Sequence, residues 1–359
     1  MEKEFGYTTG TYAAAAAKAA LTVLLGGRPP EEVRLTLPDG TEARIPVSSL
    51  EKAPGRVTCE VVKRSVEETD VTDNLKILAT VSLREDRRIV ITGGAGIGRI
   101  TRRGLQLPVG EAAINPVPRR MIHDSLRELT HRGVDVVISA PDGEKVAAST
   151  YNQRLGIVGG ISIIGTTGIM RPKSLESFKE TILQQLDFCA TNGIREIVIT
   201  PGNISEEAMI EHFTRRTSRE RVVQSGDFLG FTLEQAYKRG LFFVLAGHPG
   251  KLAKVLAGNF QTHYTKSPPA NEAVIRMLRG RVPEHILCEM SSSPTVEGIT
   301  EVLLKERRTD LLDEVAERIE EKVREYLKTD LSVPVILFNM DRRLVGSSAA
   351  ARKWIRGSS

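Results

Sequence analysis

Four short stretches of small and polar residues each follow a run of apolar ones: Gly165-Thr166-Thr167-Gly168, Thr200-Pro201-Gly202-Asn203, Ser225-Gly226-Asp227 and Gly247-His248-Pro249-Gly250-Lys251. Glycine lets a backbone approach a ligand closely, and the Thr, Asn, Asp and Lys beside it match phosphate, carboxylate or ribose groups. Turn geometry alone accounts for glycine in any one such loop. Four together point to a binding edge whose candidate contacts are Gly165, Thr166, Thr167, Gly168, Thr200, Gly202, Asn203, Asp227 and Lys251. Gly247-His248-Pro249-Gly250-Lys251 is not a phosphate-binding P-loop: two residues rather than four separate its glycines, and Leu252 follows the lysine. His248 is the histidine set among these loops, and a proton-accepting or orienting role is the chemistry it offers.

A second group lies in the first half of the chain. Thr8, Thr9 and Thr11 precede the run Ala13 to Ala17, where hydroxyls and the free N–H groups of a helix start suit a carboxylate or phosphate, though a threonine cap explains them equally well. From Arg99 to Arg120 there are five arginines (Arg99, Arg102, Arg103, Arg119, Arg120) against Glu111 alone. Guanidinium forks match carboxylates two bonds at a time, so the cluster suits a polycarboxylate if it is more than solvated surface. Gly94-x-Gly96-x-Gly98 is no dinucleotide fingerprint, because its third glycine falls one place early and a basic stretch follows instead of a helix.

The elements that must position these groups fall into two patterns. A helix from Ala13 to Leu25, capped by Thr11 and stopped by Gly26-Gly27, opens the chain. A hairpin follows, Val33 to Leu37 with Glu42 to Val47, then strands from Val57 to Lys63, Lys76 to Leu83 and Arg88 to Ile91, a helix from Pro118 to His131 and a strand from Val134 to Ser139. Residues 1–150 thus read as an α+β domain. From 151 to 359 strands and helices alternate, as in a mainly parallel α/β sheet. Its candidate strands are Gly160 to Ile164, Glu196 to Thr200, Arg221 to Gln224, Phe242 to Ala246 and Val333 to Phe338. In such sheets ligands bind at the carboxyl ends of the strands, which is where the four loops fall.

Composition narrows the class. With 359 residues, 40% hydrophobic and 26% charged, the chain is neither disordered nor collagen-like. No apolar run approaches the ~18 residues of a membrane span, and Glu2, Glu4 and Lys18 interrupt any secretory-signal pattern, so the cytoplasm is expected. Cys59, Cys189 and Cys288 are far apart, without metal-ligand spacing, and read as reduced thiols. A net charge of +5 with only 5% aromatic residues argues against a base-stacking nucleic-acid platform.

Taken in order, Gly6-Tyr7-Thr8-Thr9-Gly10-Thr11 with Ala13 to Ala20, Gly104 to Glu111, Ala113 to Ile122, Asn152, Arg154 to Ile163, Gly165 to Ile169, Thr200 to Asn203 and Gly247-His248 with Gly250-Lys251-Leu252 resemble the CbiD family, the cobalt-precorrin-5B C1-methyltransferases of anaerobic cobalamin synthesis. The likeness covers most of residues 5 to 280. It departs at Tyr12, where many relatives carry Cys, at Asp227 and at Pro249. The resemblance implies methyl transfer from S-adenosylmethionine to C-1 of a corrinoid, with cobalt arriving inside the substrate and none held by the protein. It implies that Arg99, Arg102, Arg103, Arg119, Arg120 and Arg154, with Thr8, Thr9 and Thr11, hold the corrinoid. The loops would then hold S-adenosylmethionine, with Asn203 or Asp227 at its ribose or amino group, and His248 would remove a proton or orient substrate. Partners beyond the small molecules would be limited to transient hand-over to other pathway enzymes, with no nucleic acid and no membrane. Two other readings are a corrinoid carrier without turnover, which the loops suited to a second ligand oppose, and a nucleotide-dependent small-molecule kinase, which the missing phosphate loop opposes.

Overall fold

A computed structural model describes residues 6–66, 70–170 and 175–357, apart from the side chains of 176 and 177. Glu2, Lys3 and Glu4 therefore lie outside the described residues. The chain divides into two compact units, Met1–Ser174 and Leu175–Ser359.

In the first unit β1 (Gly6–Tyr7) leads into α1 (Thr9–Leu24). The cap is Thr8, not Thr11, because Gly10 and Thr11 are already helical and the Thr8 hydroxyl accepts the Thr11 N–H. α1 is buried almost all round, Ala13 to Ala17 having no exposed surface. Alanine suits that place: it gives up no side-chain entropy and lets the helix lie close to its neighbours. Those neighbours are the hairpin β2 (Glu32–Thr36) and β3 (Glu42–Pro46), the helix α2 (Pro116–Arg127), and the strands β5 (Arg56–Val62) and β6 (Lys76–Arg84) of a sheet that also holds β4 (Ser49–Ala53) and β7 (Ile89–Gly93). β8 (Arg99–Ile100), α2, β9 (Gly133–Ser139) and the short α3 (Gly143–Ala147) follow. The sheet order is β4-β5-β6-β9-β7, with only β7 and β9 parallel. Val57, Cys59 and Val61 alternate inward with Ile77, Ala79 and Val81, and with Val134, Val136 and Ile138, to make one core with α1.

The unit boundary lies beyond residue 150 because the next segment folds back onto the first unit. β10 (Ile157–Val158) pairs with β8, and β11 (Ile169–Met170) with β1. The expected strand from Gly160 to Ile164 makes only single bridges, Ile161 to Ile97 and Ile163 to Ile114, so it does not open the parallel sheet. The glycine run explains this folding back. Gly96 (φ +71°) lies where three backbone stretches cross: a Cβ on it would sit 1.7 Å from the Ala140 carbonyl oxygen, and Gly143 and Gly160 both press on the Gly96 carbonyl.

Lys63 is 1% exposed and its ammonium pairs with Asp70. Burial alone would raise the Asp70 pKa, but hydrogen bonds from Lys63 and Thr72 outweigh it and hold the carboxyl below its ordinary value. A lowered folded-state pKa means stability that is fully present above about pH 4, the unfolded value, and is lost as pH falls through the folded one. Urea midpoints measured from pH 6 down to pH 3 should therefore fall, and fall less in Asp70→Asn. Equal slopes would refute the assignment. Nearby, Tyr12 is buried, with its hydroxyl accepting the Arg64 N–H at 2.9 Å. Position 12 is thus a packing and hydrogen-bonding site, filled without a thiol.

The second unit runs α4 (Leu175–Thr191), β12 (Glu196–Thr200), α5 (Asn203–His212), β13 (Val222–Gln224), α6 (Leu229–Lys238), β14 (Phe242–Gly247) and α7 (Pro249–Leu252). α8 (Asn271–Leu278), α9 (Glu284–Ser292), α10 (Val296–Lys305) and α11 (Thr309–Leu327) precede β15 (Val335–Phe338), β16 (Leu344–Ser347) and α12 (Ala349–Arg356). The sheet order is β13-β12-β14-β15-β16, parallel except for β16. Its central strands are apolar on both faces, as a sheet covered on both sides requires. α5 and α12 cover one face over Val198, Val244 and Ile336. Cys59 and Cys189 are buried, which pushes both thiols up to about 12, while Cys288 is exposed. Among the described residues no helix is long and apolar enough to cross a membrane, and no group of three or more His, Cys, Asp or Glu is placed to hold a metal.

Candidate functional site

The order β13-β12-β14 creates a reversal. From β12 the chain crosses through α5 to β13 on one side, then returns through α6 to β14 on the other. At such a point the loops leaving the two central strands part, and the crevice outside their carboxyl ends is where open α/β sheets bind ligands. Thr200-Pro201-Gly202-Asn203 leaves β12 and Gly247-His248-Pro249-Gly250-Lys251 leaves β14. Both lie at the carboxyl end of the sheet where that rule places a ligand, with Ser225-Gly226-Asp227 beside them at the end of β13. The loops are joined tightly. Ser225 N–H donates to the Thr200 carbonyl at 2.8 Å, and a Cβ on Gly247 would sit 2.9 Å from Pro201. Gly202 has open space where its Cβ would be.

The charged groups here are largely paired. Lys251 Nζ lies 2.9 Å from Asp227 Oδ1, so its charge is met within the protein. The Thr262 N–H donates to the Asp227 carbonyl at 2.9 Å, while Oδ2 has no partner among the described residues and is left as an acceptor. His248 Nδ1 accepts the Gly250 N–H at 2.9 Å, which places the neutral ring's proton on Nε2, and Nε2 lies 2.5 Å from Glu297 Oε2. Glu297 Oε1 in turn accepts the Met340 N–H at 3.1 Å. With both ring nitrogens engaged, His248 has no lone pair ready for a substrate proton. The expected proton-accepting role therefore gives way to one of fixing the loop after β14 against α10 and the turn after β15. Sequence reasoning missed Glu297, which lies 49 residues from His248 and looks like any acid in the first turn of a helix.

The remaining loop falls elsewhere. Gly165, Thr166, Thr167 and Gly168 belong to the first unit, not to the parallel sheet, and meet Thr8, Thr9 and Thr11. The Thr8 N–H donates to the Gly168 carbonyl at 3.0 Å and the Gly10 N–H to Ile164 at 3.0 Å. Thr9 Oγ1 accepts the Ile164 N–H at 2.9 Å, and the Thr11 hydroxyl donates to the Gly168 carbonyl at 2.7 Å. Gly165, at φ +134°, leaves room for Thr8, whose Oγ1 would lie 2.2 Å from a Cβ there. Thr9 and Thr11 thus spend their hydroxyls holding this loop and Thr8 spends its own capping α1, so the two stretches, read as contacts to different ligands, form one structural unit.

The arginines divide likewise. Arg119 donates to the carbonyls of Ile114 at 2.7 Å and Ile91 at 3.3 Å and to Glu111 at 3.0 Å, so it ties the segment before α2 to β7 and is not available to substrate carboxylates. Arg99, whose guanidinium also donates to the Gly110 carbonyl, Arg102 and Arg154 are brought into one neighbourhood by the β8–β10 pairing, and Arg103 follows Arg102. There the Thr101 N–H donates to the Gly156 carbonyl at 2.8 Å, Arg102 lies against Gly156, and Arg154 stacks on Tyr151 at 4.9 Å. Arg120 is exposed on α2.

Residues 1–172 match the CbiD family and residues 261–349 the CbiD C-terminal domain. A cobalt-precorrin-5B C(1)-methyltransferase of Syntrophotalea carbinolica is 38% identical over 350 residues, covering 97% of this chain and 98% of its own. Its counterpart in Desulfitobacterium hafniense is 40% identical over 333 residues, 91% of this chain and 85% of its own. A crystal structure of cobalamin biosynthesis protein CbiD from Archaeoglobus fulgidus is 27% identical, covering 77% of this chain and 84% of its own, with a TM-score of 0.37.

Proposed function

We propose that this chain, which belongs to the CbiD family, transfers the methyl group of S-adenosylmethionine to C-1 of cobalt-precorrin-5B in anaerobic cobalamin biosynthesis, giving cobalt-precorrin-6A and S-adenosylhomocysteine. The observation that carries this is the alignment with relatives of that activity over 97% of the chain.

S-adenosylmethionine supplies an electrophilic methyl on a sulfonium, and a ring carbon attacks it in line. What the protein must do is align two molecules and exclude water, with little need for a base. The crevice beside β12 and β14 is the place for S-adenosylmethionine. Its polar groups suit a ligand that carries a carboxylate, an ammonium and ribose hydroxyls: Asn203 lies at the start of α5, and Asp227 Oδ2 is an acceptor for ribose or ammonium. In the first unit Arg99, Arg102, Arg103, Arg154 and Arg120 are the arginines to hold a polycarboxylate macrocycle, and cobalt belongs to that substrate. His248, held by Glu297, shapes the crevice.

Calorimetric titration with S-adenosylhomocysteine is expected to show saturable binding, and Mg-ATP none. Binding of Mg-ATP alone would overturn the methyltransferase reading in favour of a nucleotide-dependent kinase.

A further inference from the structure

The first turn of α5 has no side-chain cap. Beneath it lies a hydrogen-bonded chain of polar groups that begins with a buried charge. Glu206, in that turn, has no exposed surface, and its carboxylate lies 3.1 Å from Arg219 Nη1 and 2.6 Å from Gln224 Nε2. Arg219 is the partner that an ionised carboxylate needs when it is out of water.

A carboxylate only accepts hydrogen bonds, so Gln224, at the end of β13, must turn its NH2 group toward Glu206. The same nitrogen lies 2.6 Å from Asn203 Oδ1, and its second hydrogen goes there. Asn203 is therefore held with its oxygen inward and its NH2 outward. The assignment of both amides follows from the one group whose role cannot be reversed.

A second observation lies at the same end of the sheet. Thr200 is fully buried, yet its hydroxyl has no hydrogen-bond partner among the described residues. It ends β12 two residues before the α5 cap, on the strand face of Val198, which packs with Ala208 and Met209 of α5. This places an unmet polar group beneath the start of α5, beside free N–H groups and an outward amide that can only donate.

We propose that Glu206 and Gln224 are positioning residues that lock Asn203 as a hydrogen-bond donor, making the start of α5 the subsite for the carboxylate at the amino-acid end of S-adenosylmethionine. This rests on the reading that the crevice holds that molecule. It also replaces the expectation that Asn203 serves the amino group: an ammonium needs an acceptor, and the Asn203 oxygen is spent on Gln224.

The test compares S-adenosylhomocysteine with 5′-methylthioadenosine, which keeps the adenosine and sulfur but lacks the amino acid. Asn203→Asp still accepts from Gln224; the helix start favours its carboxylate while Glu206 on the same nitrogen opposes it, so the control for an intact crevice is the 5′-methylthioadenosine affinity and not the urea midpoint. The substitution turns an oxygen toward the ligand carboxylate, and S-adenosylhomocysteine affinity should drop by roughly ten-fold or more while 5′-methylthioadenosine affinity holds. Glu206→Gln frees both amides to turn and should move the same ratio in the same direction. Equal loss for both ligands, or no loss for either, would overturn the proposal. If the unaltered protein bound neither ligand, the placement of S-adenosylmethionine in the crevice would fall with it.

Discussion

Gly202→Val is expected to remove S-adenosylhomocysteine binding, weakening it by about 100-fold or more, while leaving the fold intact. The two effects separate because of what surrounds this residue. Its φ of 176° is extended backbone that any residue adopts, and nothing lies within 4 Å of where a Cβ would be. A Cβ there costs the protein no strain and meets no neighbour. It does belong to the cap residue of α5, in the loop leaving β12, beside the N–H groups that the ligand's polar end must approach. The measurement is a calorimetric titration beside a thermal melt. An unchanged melt with lost binding places the ligand at this crevice, and unchanged binding would remove the crevice from the account.

Gly96→Ala should have the opposite signature, a loss of fold. At φ +71° an L side chain is strained, and the added carbon would lie 1.7 Å from the Ala140 carbonyl oxygen, a backbone atom that cannot swing aside. The Gly96 carbonyl also accepts the Ile161 N–H at 3.0 Å, and Gly143 and Gly160 pack against it, so relief in one stretch displaces the other two. A cost of about 4 kcal/mol or more is expected. That is much of the ~5–15 kcal/mol that holds a domain together. The urea midpoint and circular dichroism of the variant check this, and a midpoint within error of the unaltered protein would refute it. The same result bears on the glycine run as a whole, since a ligand-binding role would leave stability untouched.

Much of the fold was legible locally. Val57, Cys59 and Val61 alternate with polar residues and could only make a strand with one buried face. Leu311, Val315, Ile319 and Val323, four apart, could only make a helix with a packing stripe, and both are found buried as the pattern requires. The strand from Gly160 to Ile164 was misread because an apolar run flanked by glycines looks the same whether its partner is a parallel sheet or single bridges to Ile97 and Ile114. The helices α9, α10 and α12 went unread, since their amphipathic patterns are short and lie in a stretch with little specific motif signal.

What the sequence by itself determined is most of the elements, a division into two parts, the family, and the residues at the carboxyl ends of β12, β13 and β14. These follow from side-chain period, turn chemistry and ordered motifs, all of which are written within a few residues of one another. The tertiary structure alone decided which loop serves which unit and which polar groups are already spent. Gly165 to Gly168 belong to the first unit because groups some 150 residues away, the Thr8 N–H and the Thr9 and Thr11 hydroxyls, meet the backbone of Ile164 and Gly168. His248 lost its free nitrogen to Glu297 and Gly250, Arg119 its guanidinium to β7 and the segment before α2, and Asn203 its oxygen to Gln224. A side chain's chemistry is set by the partner that meets its donors and acceptors, and that partner is chosen by folding across the chain.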